Sequence, residues 1–529
     1  MNNLGSEQRL NFIRTLSDSG FHRTHIEIGN GEKLEGNAPN RVWPIATFLH
    51  MSDLHVCDAQ SPARVEFIDR YADPDYPNRE QIDYVGTYRP QEFLTAQVVE
   101  AMVQSLNDIE FGPEFGGKVD AVLVTGDVID NGQSNELSWY KQLMDGGQVS
   151  TSSGSKDLVE AAHSVRDGFD SQHYYQPDNT TGNRTNQLFG MVARTGLADA
   201  AQQPFIATGL RHQWLAIHGN HDAMLQGTVL PDATLEALVI GNQKLTGIRD
   251  GVSVEQVLSK FGEVGPANYP EADLLTTTEV TPDPRRTFVK MSDWIDSHND
   301  CGHDHGLTVH SSTAYWTRDF DRVRIIALDT VNRNGGWQGC IDRQQLAWMV
   351  DLLSTATDKY VVLTSHHPLQ DLVNDYCPEG AQVPAVKAEV AEILSDFPNV
   401  IAWVSGHVHD HHISFQPSSK GGFGFWQIRT SSHMDWPQQS RVVEIGQTGE
   451  GRLVIATQVI NHSGALLTSL AQVGETTEAQ LTDPLHLAGI SRILAANDWQ
   501  RFDGSNSLEV LEGQPDDRNA WLWLEDPLA

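Results

Sequence analysis

The chain has 529 residues, more than one hydrophobic core usually organises, so one elaborated domain or two domains are expected. With 39% hydrophobic and 20% charged residues, 44 Gly and 23 Pro, it reads as a loop-rich globular sequence, which excludes wholesale disorder and fibrous repeats. A formal net charge of −34 opposes attraction to nucleic-acid polymers and anionic membrane surfaces, so neither is expected as a partner.

Residues 1–44 read as an N-terminal extension. Glu7, Arg9, Arg14 and Asp18 break its beginning, leaving no secretory apolar core and no paired-arginine signal, so a cytoplasmic or already processed chain is expected. No apolar run is long enough for a membrane span. Short buried strands are predicted at 45–51 before SDLH, 119–124 before TGD and 214–217 before HGNHD. Further strands are predicted at 323–328 before DT, 360–363 before TSHHP and 401–404 before SGHVH. Helical patterns at 90–106 and 342–353 alternate with them, which argues for an α/β core with polar strand ends lining one crevice. Segments 423–428, 441–445 and 452–460 read as antiparallel, so the sheets should be mixed. Polar inserts at about 141–205 and 225–312 read as ordered lids, with Tyr174, Tyr175, Phe189, Tyr269 and Trp294 to anchor them. They interrupt a main domain spanning 45–462, and 463–529 reads as a helical extension packing outside the core. Cys57, Cys301, Cys340 and Cys377 are too few and too scattered for a disulfide framework.

The chemistry lies in the strand-end motifs: Asp53-x-His55, Gly126-Asp127, Gly219-Asn220-His221-Asp222, His366-His367-Pro368 and Gly406-His407-Val408-His409. Residues two apart in extended chain point the same way, so Asp53 with His55, and His407 with His409, present paired donors to one site. Oxygen and imidazole donors without thiolate select Zn, Mn or Fe. Seven donors exceed one ion's need and suit two ions about 3.5 to 4 Å apart, bridged by a carboxylate and a hydroxide. Cys57 reads as a buried small side chain rather than an extra ligand.

This ordered set, spread over about residues 45–435, resembles the calcineurin-like metallophosphoesterase superfamily, in a long-insert bacterial subgroup some of whose members are exported by twin-arginine signals. Leu328-Asp329-Thr330, followed by Asp342, Gln345 and Trp348, is similar to a further family segment. The resemblance implies a four-layer α/β/β/α sandwich of two mixed sheets, with a dimetal site at the strand ends. It implies that Asp53, His55 and His409 bind one metal, that Asn220, His366 and His407 bind the other, and that Asp127 bridges. His366 is chosen over His367 because the family's histidine stands two residues before the proline. Gly126–Gly132 resembles a protein phosphatase element whose second Asp orients the following histidine, which implies an Asp130–His221 pair. Asn131 replaces that element's phosphate-clamping Arg, and Asp130 stands where purple acid phosphatases carry their iron-binding Tyr, so neither of those classes is implied.

The resemblance thus implies a metal-dependent phosphoester hydrolase using a metal-bridging hydroxide, with His221 donating to the leaving oxygen. A phosphodiesterase acting on a small phosphodiester or nucleotide leads. Phosphomonoesterase or nucleotidase activity, and a metal-binding scaffold without turnover, are the alternatives. Asn131, with His303 and His305 of the CGHDHG segment, are candidate substrate contacts, and His411, His412, His433 and Trp436 are candidates for the cleft edge. Metal identity, natural substrate and oligomeric state are left open by the sequence.

Overall fold

The computed structural model describes residues 25–26, 33–34, 41–77, 86–259, 272–299, 304–308, 311–449, 451–500 and 511–529. Two large mixed sheets carry the architecture. The eight-stranded sheet runs, in spatial order, Lys33–Leu34, His25–Ile26, Ala520–Glu525, Arg452–Asn461, Gln439–Thr448, Val42–Met51, Ala121–Thr125 and Trp214–Ile217. The six-stranded sheet runs Trp316–Phe320, Val323–Leu328, Tyr360–Ser365, Val400–Ser405, Gly424–Arg429 and His412–Pro417.

The central strands are largely apolar because both their faces are covered. In Val323–Leu328, residues Val323, Ile325 and Ala327 join the core between the sheets, whereas Ile326 and Leu328 join the outer core. The same alternation sends Tyr360 and Val362 inward and Val361 and Leu363 outward. The outer layer on that side is formed by helices Arg343–Thr355 and Lys387–Leu394, through Leu346, Met349, Leu353, Val390 and Leu394. Asp342 caps the first of these helices by accepting from the Gln345 N–H at 2.9 Å. On the other side Thr95–Asn107 lays Val99, Met102 and Leu106 on the eight-stranded sheet and meets Pro484–Ala495 through Val98, Ala101 and Ala488. The layers are therefore α/β/β/α.

The terminal segments depart from the sequence reading. Strand Ala520–Glu525 lies inside the eight-stranded sheet, between His25–Ile26 and Arg452–Asn461, so the C-terminal segment is not a helical appendage alone. The insert at 141–205 shares one core with the C-terminal helices: Tyr174, Tyr175 and Leu197 cluster with Leu487, Ile490, Trp499 and Trp436. Of the insert at 225–312, Trp294, Ile295 and Leu307 belong to the main core itself. Burying these aromatic and branched side chains against the sheet stabilises the fold more than leaving them on a cover would.

Candidate metal centre

Every motif emerges at the carboxyl end of a parallel strand: Val42–Met51, Ala121–Thr125 and Trp214–Ile217 from one sheet, Tyr360–Ser365 and Val400–Ser405 from the other. Backbone bonds stitch the loops together. Asp53 N–H donates to Gly126 O at 3.1 Å, His55 N–H to Asp127 O at 2.9 Å, and Gly406 N–H to His366 O at 3.0 Å. Five of the eight non-glycine residues with positive φ among the described residues are Asp53, His55, Asp127, His407 and His409. Holding each there costs about 1 kcal/mol or more, and that strain is concentrated where the donors converge. Gly406 is required by close approach, since a Cβ there would lie 1.7 Å from Ser52 Oγ and 2.3 Å from Asp53 Oδ2. The Asp222 carboxylate fixes the loop carrying Asp127 by accepting from the N–H groups of Gly219, Asp127 and Val128 at 2.7, 3.0 and 2.9 Å.

The side chains form two adjoining groups of donors. His409 Nε2 lies 3.1 Å from His55 Nε2 and 3.3 Å from Asp53 Oδ1. His366 Nε2 lies 3.1 Å from both His407 Nδ1 and Asp127 Oδ2. Asp127 Oδ2 is also 3.9 Å from His55 Nε2, which puts that carboxylate between the groups. The Asn220 amide donates to Gly227 O at 3.1 Å, and its Oδ1 is buried without a protein partner.

These residues fit cations. His55 gives its Nδ1 to Asp130 Oδ1 at 2.9 Å, His409 to Asp435 Oδ2 at 2.6 Å, and His366 to Thr125 O at 2.8 Å. With Nδ1–H donated to an acceptor, each Nε2 carries a lone pair, and such outer partners are what orient metal-binding imidazoles. Lone pairs facing each other across about 3 Å, beside carboxylates, call for a positive centre.

Without a cation, a proton takes its place on His366. Burial works against ionisation of Asp53, but the His409 hydrogen bond and charge outweigh it and hold the carboxyl down at about 2. Burial also opposes charge on His366, yet the neighbouring Asp127 raises that ring to about 9. Burial, reinforced by His221, lowers His55 to about 4. Burial and the His366 charge lower His367 to about 3.

Other expectations resolve differently. The Asp130 carboxylate is shared: Oδ1 takes His55, at 2.9 Å, and stands 3.4 Å from His221 Nδ1, whose closer acceptor is the Asp130 backbone oxygen at 2.8 Å. The expected Asp130–His221 pair is therefore made chiefly through the main chain. The other Asp130 oxygen takes Arg64, a buried guanidinium that also bonds Asn131 Oδ1 at 3.1 Å and Glu92 at 2.8 Å. Asn131 is not the substrate contact expected: fully buried and bonded to Arg64 and Glu136, it is in no position to touch a substrate. Nor is His305, which stacks on Trp214 with centroids 3.6 Å apart and bonds the Trp214 carbonyl at 2.8 Å, inside the core. His303 lies outside the described residues. His367 spends both ring nitrogens, on Thr330 Oγ1 at 2.8 Å and on Trp337 O at 2.9 Å. His411 and His433 are buried in bonds to Gln439 and to Ser52 O, while Trp436 bonds Glu512, so these three do not line an open edge.

Arg64 and Asp435 were not legible as parts of this centre. Asp435 joins His409 to Arg89, whose Nε donates to its second oxygen at 2.6 Å. The segment around it stands out in the sequence, but through His433 and Trp436.

Among the described residues no helix is long and apolar enough to cross a membrane. No curated protein matches the chain. Solved structures that match include the sulfate thiohydrolase SoxB of Termus thermophilus in complex with glycerol, at 14% identity and a TM-score of 0.29 over 83% of this chain and 60% of that one. The chain thus spans less than two thirds of that protein's length. Residues 178–411 match the model of the calcineurin-like phosphoesterase family, a stretch that holds Asn220, His366, His407 and His409. Over that stretch, the chain is similar to calcineurin-like phosphoesterases.

Proposed function

We propose that the chain is a phosphodiester hydrolase working with two divalent metal ions, one held by Asp53, His55 and His409, the other by Asn220, His366 and His407, with Asp127 between them. The observation that carries this reading is the convergence of imidazole nitrogens and carboxylate oxygens at 3.1 to 3.3 Å, with Asn220 Oδ1 from the neighbouring motif buried and without a protein partner. Two such ions, when bound, activate water as a nucleophile and stabilise charge developing on phosphorus.

The chain's own residues do the positioning. Asp130 and Asp435 hold His55 and His409 in one tautomer, and Thr125 O does so for His366. His221 is anchored at Nδ1 by the Asp130 carbonyl, which leaves Nε2 to hold a proton for the leaving oxygen. His221 N–H donates to Asp127 Oδ1 at 2.8 Å, tying this histidine to the carboxylate between the two groups. The diester is preferred over the monoester because Asn131, where a related phosphatase element places a phosphate-clamping Arg, is buried and offers no cation to a dianion.

The test compares bis(p-nitrophenyl) phosphate with p-nitrophenyl phosphate on protein stripped by chelator and reloaded with Mn, Zn or Fe. Faster diester turnover that disappears on chelation is the expected result. Monoester preference would replace the reading with a phosphatase, and two bound metals without turnover of either ester would leave a metal-binding scaffold.

A further inference from the structure

We infer that Trp337 is a stacking platform for an aromatic ring carried by the phosphoester, so that the substrate is an aryl or nucleobase-bearing ester rather than an alkyl one. This rests on the proposed hydrolase reading and names its substrate class. Trp337 is 46% exposed, and its ring lies nearly parallel to that of His407, with centroids 5.9 Å apart and 23° between planes. A half-exposed indole beside these donors offers a flat apolar face on which an aromatic ring can stack.

The loop presenting it is fixed at both ends. Cys340 N–H donates to Thr330 O at 2.9 Å, Gly339 N–H to Asp371 O at 2.9 Å, and the Trp337 carbonyl accepts from His367 Nε2 at 2.9 Å. The Asn374 amide adds bonds to Gly335 O at 2.9 Å and Gln338 O at 3.3 Å, joining this loop to the one that carries Tyr376, itself 36% exposed. The backbone that carries the indole is therefore fixed before any ligand arrives, so stacking costs little ordering of the loop. His407 is one of the proposed metal-holding residues, so the indole stands beside the place where a phosphoester would bind. The net charge of −34 disfavours a polyanion, which limits the ligand to a small ester.

The test uses the metal-loaded protein with bis(p-nitrophenyl) phosphate, 2′,3′-cyclic AMP and the alkyl diester glycerophosphoethanolamine, together with calorimetric binding of AMP. Trp337→Ala removes the ring but keeps the carbonyl that holds His367. It is expected to worsen the KM of an aromatic ester relative to the alkyl one on the order of 10-fold, and to weaken AMP binding similarly, with Trp337→Phe recovering most of both. An effect on the p-nitrophenyl ester alone assigns a phenolic arm, and one on the cyclic nucleotide as well assigns a nucleobase. Equal changes for aromatic and alkyl esters overturn the inference. If no ester is turned over, the hydrolase reading fails separately, and in that case AMP affinity unchanged in Trp337→Ala overturns the platform.

Discussion

The carboxylate of Asp435 offers the sharpest check on how this centre is built. It is fully buried and takes two donors, His409 Nδ1–H and Arg89 Nε–H, each at 2.6 Å. In Asp435→Asn one oxygen becomes an NH2 group of the same size, so two donors compete for a single acceptor. If the NH2 faces His409, the ring must carry its proton on Nε2, the atom 3.1 Å from His55 Nε2 and 3.3 Å from Asp53 Oδ1, and it ceases to be a ligand. If it faces Arg89, two donors confront each other in the interior, with a loss of up to about 3 to 5 kcal/mol of stability. Losing an outer carboxylate of this kind weakens metal binding about 10- to 100-fold, or about 1.4 to 2.7 kcal/mol. Competition with a chromogenic chelator measures both affinities, and thermal unfolding with excess chelator measures stability apart from metal. One ion weakened by at least tenfold, with the other near its original affinity, is the expected pattern. Unchanged affinity for both ions would refute the reasoning, whether or not the protein melts earlier.

Three further outcomes follow from the same geometry. His366→Ala should lose one of two bound ions by elemental analysis, whereas His367→Ala should keep both and lose about 1 to 3 kcal/mol of stability from its bonds to Thr330 and Trp337. Retention of two ions by His366→Ala would reverse the assignment. His221→Ala should bind both ions yet turn over the diester about 10² to 10⁴ more slowly, and full activity would remove its assigned role. Gly227 has φ 67°, and a Cβ there would stand 2.2 Å from His221 Cδ2 and 2.4 Å from Asn220 Nδ2. Gly227→Ala should therefore cost activity about 10-fold or more through displaced side chains, checked by diester kinetics beside metal content.

The sequence by itself determined the α/β class, the strand ends and the order of the donor motifs. These signals are local: a strand buried on both faces is apolar at every step, and a donor pair two apart is visible within three residues. Adjacent His366 and His367 must point oppositely in extended chain, yet only the tertiary structure shows which one meets His407 Nδ1 and which one is spent on Thr330 and Trp337. The outer partners were also decided in three dimensions. His55 and Asp130 are 75 residues apart and Arg89 and Asp435 are 346 apart, and no periodicity encodes contacts made by chain closure. The same holds for Asn131 and His305, whose polar side chains suggest a cleft while the fold buries them against Glu136 and Trp214. Strand Ala520–Glu525 likewise has its place set by pairing, with Arg452–Asn461 on one side and His25–Ile26 on the other, the latter a contact between distant parts of the chain that no local pattern encodes.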